Sequence, residues 1–147
     1  MKAEPMKPPA IDLHHLRKAL ATLVEASQFW IALPAASPLK PHLRSAVVQS
    51  FEFTYELSIR MLRRVLIERS AVADLVADLS FNDLLRKAAD AELLADPPTW
   101  RAWREMRNTT SHAYDEVKAH AVATNEARFA ADAAPLLSAM ERSLANE

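Results

Sequence analysis

This chain of 147 residues contains no glycine. Average usage of about 7% would supply roughly ten. Glycine provides the positive φ angles of tight hairpins and the bare backbone of phosphate-binding loops. A Rossmann fingerprint and a P-loop both need it, so its absence argues against both. What remains possible is helix joined by turns built on Pro, Asn and Asp, and the abundant Ala and Leu favour helix as well. No internal repeat and no strand-like alternation is found. The predicted fold is all-α: an up-and-down antiparallel bundle of four to five helices in one domain.

Residues 1–9 (MKAEPMKPP) are Pro-rich and polar and read as a disordered lead-in; residues 10–147 read as the single bundle domain. Asp12 suits a helix start, and Leu13, Leu16, Leu20, Leu23, Trp30 and Leu33 follow at helical spacing. Pro34, Pro38 and Pro41 form the connection. A second helix, from about Pro41 to Ser70, carries two apolar stripes. One is Leu43, Val47, Phe51, Tyr55, Ile59, Leu62 and Leu66; the other is Phe53, Leu57, Met61 and Val65. Residues 51 and 53 lie about 200° apart, so this helix can face its own bundle on one side and a further helix or a second subunit on the other. Residues 71–79 are undecided between an extension and a short separate helix. Ser80 reads as an N-cap above Asp83, and Asp96-Pro97-Pro98 as a start signal. A last helix over about 116–145 is expected to kink or split at Pro135.

Charge and composition remove several functions. The formal net charge is -1, so any nucleic-acid contact needs a local patch. The absence of cysteine excludes disulfides, thiolate metal sites and a Cys nucleophile. His14 and His15 are adjacent and point apart, His42 and His120 are isolated, and no metal or other cofactor is expected. No apolar stretch reaches about 18 residues and no apolar signal core opens the chain; a cytoplasmic location without membrane contact is expected.

The chemistry-bearing residues cluster in Arg107-Asn108-Thr109-Thr110-Ser111-His112-Ala113-Tyr114. Arg grips phosphate in a planar fork, His moves protons near neutral pH, and a Tyr hydroxyl can accept a group. On an ideal helix Arg107 and His112 sit about 140° apart, while Asn108 shares a face with His112 and Arg107 with Ser111. The alternative reading is a satisfied polar network at a helix end. Arg101, Arg104 and Arg107 repeat every three residues, as a phosphate track or as a solvated face. Trp100 and Trp103 could stack bases, but aromatics at this spacing are more often core. Glu52, Glu56 and Arg60 form a ladder in which one of the two adjacent glutamates is expected to face a distant cation, Arg107 or Arg104. RNA cleavage benefits from both an acid and a base, and a C2 homodimer would supply two copies of His112 and Arg107 to one cleft.

The run Val48-Gln49-Ser50-Phe51-Glu52-Phe53-Thr54-Tyr55-Glu56-Leu57, then Trp103 through Arg107-Asn108, then Thr110 to Asp115, resembles the nucleotidyltransferase substrate-binding family of the HEPN superfamily. The likeness covers about residues 10–145. It implies a helical bundle, usually dimeric, whose partner is a minimal nucleotidyltransferase. Many such pairs act as toxin and antitoxin. The implied activity is metal-independent cleavage of RNA by Arg107 and His112, assisted by Asn108; the reading of the residues themselves adds Arg104 and Arg101 as RNA contacts and Ser111 and Glu52 as supporting groups. The implied silencing is AMP transfer from ATP to Tyr114. The alternative implication is a non-catalytic substrate-binding subunit of a two-component nucleotidyltransferase. Relatives often carry Gly after the third helix; Asp90-Ala91-Glu92-Leu93-Leu94 stands here, so a different turn is expected.

Overall fold

The structure, a computed structural model, describes residues 10–70, 72–110 and 116–146. Among them there are seven helices and no strand: α1 (His14–Ala32), α2 (Lys40–Arg69), α3 (Ala73–Ala77), α4 (Phe81–Asp90), α5 (Pro97–Thr110), α6 (Glu116–Glu126) and α7 (Phe129–Ala145). The helical bundle is as expected, but with more segments. Two breaks account for the difference. Residues 73–77 form a separate short helix, which Arg63 ties down by donating Nη1 hydrogen bonds to the carbonyls of Val76 (3.1 Å) and Leu79 (2.9 Å). The last helix divides, and not at Pro135.

That second break lies at Ala127-Arg128. The Arg128 N–H reaches back three residues to the Asn125 carbonyl (2.9 Å), which tightens and ends α6. The turn re-aims the chain so that Phe129 is fully buried. Pro135 sits inside α7 instead. Its missing N–H would have met the carbonyl of Ala131, and both residues are exposed, where an orphaned carbonyl costs little.

Central to the bundle is α2. Its first stripe buries Val47, Phe51, Tyr55, Leu62 and Leu66; its second buries Leu57, Met61 and Val65. The second face therefore meets a helix of the same chain. α1 packs along it, and Thr54 Oγ1 donates to the Ala19 carbonyl at 3.3 Å. Phe53 alone of that stripe stays exposed, at 58%. Lys40, the first residue of α2, donates Nζ hydrogen bonds to the carbonyls of Trp30 and Leu33 and lies over the Trp30 ring, so it satisfies the open end of α1.

Local signals fixed most boundaries. The Ser80 Oγ accepts from the Asp83 N–H (3.2 Å) and donates to Asp83 Oδ2 (3.0 Å), a complete cap for α4. Pro97 opens α5, with the Asp96 carboxylate accepting from Thr99 Oγ1 at 2.6 Å. The turn after α4 departs from expectation. The Leu93 N–H bonds the Ala88 carbonyl (2.9 Å) and the Glu92 N–H that of Ala89 (3.0 Å), with Glu92 at φ 61°. This is the turn a glycine usually makes. Glutamate adopts it at a cost of roughly 1–2 kcal/mol, offset by the burial of Leu93 and Leu94.

Candidate active site on α2 and α5

An aromatic cluster sets the site's position. Phe129 packs edge-to-face on Phe51 (5.1 Å between centroids), Trp100 (5.5 Å) and Trp103 (5.1 Å). Trp103 Nε1 also donates to Asp132 Oδ2 at 2.7 Å, which pins α5 to α7. Both tryptophans are buried and serve as core. Each aromatic pair adds about 0.5–1.5 kcal/mol beyond its buried area, so the C-terminal half of α5 is held rigidly against α2.

One turn beyond Trp103, Arg107 lies in the last turn of α5 and crosses to α2. Its Nε and Nη2 both donate to Glu56 Oε1, at 3.0 and 2.5 Å. Of the two adjacent glutamates, Glu56 thus meets the distant cation. The hydrogen bonding that Arg107 donates to Glu56 is the main reason that its guanidinium is held above its ordinary pKa, with the charges of Glu56 and Glu52 adding to it. Arg107 is about a quarter exposed and Glu56 about half, so a solvent-borne anion can reach the pair.

Neighbouring groups are polar and unevenly buried. Asn108 and Arg101 are exposed. Arg104 is exposed and stacks over the Phe81 ring, 4.7 Å from its centroid. Beneath them, burial pushes the Tyr55 phenol up to about 12, against the opposing pull of Arg104 and Arg107. Glu126, at the end of α6, is fully buried, and among the described residues neither carboxyl oxygen has a hydrogen-bond partner. Burial first, and the charge of Glu52 second, push its pKa up to about 9, so it is neutral at pH 7. No sequence signal marked Glu126, since Asn125-Glu126-Ala127 reads like any solvated helix end.

Ser111, His112 and Tyr114 lie outside the described residues. The structure therefore brings together Arg107, Glu56 and the charge of Glu52, with Asn108 and Arg104 on the same helix. Among the described residues no cluster of His, Asp and Glu could hold a metal ion, and no helix is long and apolar enough to cross a membrane.

A family profile described as nucleotidyltransferase substrate binding protein like matches residues 11–142. The chain belongs to this family. It is 44% identical over 80 residues to a Haemophilus influenzae protein named probable ribonuclease HepT. That match spans 54% of this chain and 55% of the relative. A solved Haemophilus influenzae structure superposes with a TM-score of 0.79 at 32% identity, over 88% of this chain and 99% of the other. That protein is described as having the fold of a substrate binding domain of a nucleotidyltransferase.

Proposed function

We propose that this chain is a HEPN-type toxin: a metal-independent endoribonuclease that works as a homodimer. The observation that carries the reading is Arg107, presented at the end of α5 with a carboxylate where a phosphate would sit, in a chain similar to a probable ribonuclease. His112 takes the proton of the RNA 2'-hydroxyl. The freed oxygen attacks the adjacent phosphorus, the bond to the next 5'-oxygen breaks, and that oxygen takes a proton from the His112 of a second copy of the chain. A cyclic phosphate and a 5'-hydroxyl result. Arg107 neutralises the charge that builds on the five-coordinate phosphorus. Asn108 assists, Ser111 and Glu52 support, and Arg101 and Arg104 attract the strand.

Silencing follows from a partner minimal nucleotidyltransferase. The Tyr114 oxygen attacks the α-phosphorus of ATP, pyrophosphate leaves, and AMP remains on the phenol. The chain has two tyrosines. Tyr55 is 7% exposed and its phenol is pushed up to about 12, which makes it a poor acceptor and favours Tyr114. AMP two residues from His112 adds bulk and negative charge that offsets the Arg107 guanidinium.

The solved relative described as a substrate binding domain favours a second reading, in which the chain is the non-catalytic subunit of a two-component nucleotidyltransferase. Expression of the chain alone separates the two. A toxin arrests growth, and His112→Ala relieves the arrest; a passive subunit leaves growth unchanged with either sequence.

A further inference from the structure

Between α1 and α2 runs a groove of about 520 Å³ that the site above does not use. Its floor is apolar: Ala19, Leu57 and Met61. Phe53, a large aromatic with 58% of its surface exposed, forms one wall. Lys18 from α1 and Arg60 and Arg64 from α2 line it, with His15 beside them, and no carboxylate does. Among the described residues none of these three cations forms an ion pair; the pairs there are Arg17–Glu141, Arg86–Asp83 and Arg107–Glu56. In a chain of net charge -1, three positive side chains around an apolar floor are a local concentration.

The groove and the site share α2. Phe53 lies three residues before Glu56 and Arg60 four after it, so both are surface neighbours of the residue that holds Arg107. From Phe53 to Arg64 the helix rises about 16 Å, the span of two or three nucleotides of an extended strand. An exposed ring for a base, cations for phosphates and an apolar floor are the elements of a single-strand platform.

We infer that the α1–α2 groove is an anchoring site for single-stranded RNA, with a base stacked on Phe53 and phosphates on Lys18, Arg60 and Arg64. This rests on the ribonuclease reading for its substrate. It adds a contact that spans two to three nucleotides outside the cleaved bond, so that longer strands bind more tightly than short ones.

The test is fluorescence anisotropy of a labelled single-stranded RNA decamer in EDTA, across a salt series, with the intact protein. The catalytically silent His112→Ala background keeps the strand whole. Phe53→Ala is expected to weaken binding about tenfold. Arg60→Gln with Arg64→Gln is expected to weaken it further and to reduce the salt slope by about 1.4, the loss of two phosphate contacts on a single strand. Lys87→Gln on α4, away from the groove, is expected to change neither. All four positions are exposed, and circular dichroism melting checks that each variant folds. Unchanged affinity and slope in the groove variants would overturn the proposal, as would capture of a polyglutamate peptide in place of RNA. Cleavage is read separately: groove-dependent binding without cleavage by wild type sinks the ribonuclease reading and leaves the groove standing.

Discussion

Glu126→Gln should stabilise the fold increasingly as pH rises. Glu126 is fully buried without a hydrogen-bond partner among the described residues, and its carboxyl is pushed up to about 9 from an ordinary 4.5. In the unfolded chain it ionises above pH 4.5; in the folded chain it keeps its proton up to about 9. Its contribution to stability is therefore intact below pH 4.5 and is lost steadily as pH rises to about 9. Each unit in that window costs about 1.4 kcal/mol, which reaches roughly 3 kcal/mol at pH 7. Glutamine has nearly the same shape and does not titrate. Its amide N–H groups find no partner and cost about 1–3 kcal/mol, but that offset is constant with pH. The measured quantity is the difference in unfolding free energy between the Glu126→Gln variant and wild type, from urea titrations at pH 5, 6, 7 and 8. It should grow by about 4 kcal/mol across those three units in favour of the variant. Parallel stability curves for the two proteins would refute the reasoning and mean that Glu126 is ionised, or solvated, in the fold.

Other expectations concern the turn, the core and the ion pair. Glu92→Gly removes a left-handed non-glycine residue and should raise stability by about 1 kcal/mol, a gain of a few degrees in Tm; a lower Tm would mean that φ 61° carries no strain here. Phe129→Ala should cost about 3–5 kcal/mol by emptying the aromatic cluster, read by chemical denaturation, and a loss under about 1 kcal/mol would remove the cluster's role in holding α5. Glu56→Gln should change fold stability by no more than about 1 kcal/mol, because the pair is partly exposed. The same variant should bind RNA a few-fold more tightly by removing the carboxylate that competes for Arg107; weaker binding would instead make Glu56 a positioning group.

Helix identity was legible in the sequence because local chemistry decides it. Ser80 and Asp83 announced the α4 cap, and Asp96-Pro97-Pro98 the start of α5. Tertiary effects were not legible. Pro135 was expected to kink or split a helix, yet it lies at an exposed position inside α7, and the split falls at Ala127-Arg128, beside the buried Phe129. Glu92 takes a glycine conformation because the hydrophobic closure of Leu93 and Leu94 outweighs the strain. At the site, Arg107 stood out from residue type alone. Its partner among Glu52 and Glu56 depended on how α5 crosses α2, and the second stripe of α2 turned out to be buried within the chain at all but Phe53. Glu126 gave no signal, since burial of a carboxylate is a property of packing and not of spacing.

The most direct measurement of the central claim is cleavage of mixed RNA in EDTA by purified protein, wild type beside His112→Ala, with intact mass recorded first to exclude AMP on Tyr114. Unmodified wild type should cleave, and a folded His112→Ala should not. Cleavage retained in His112→Ala, or none by an unmodified wild-type dimer, would contradict the claim.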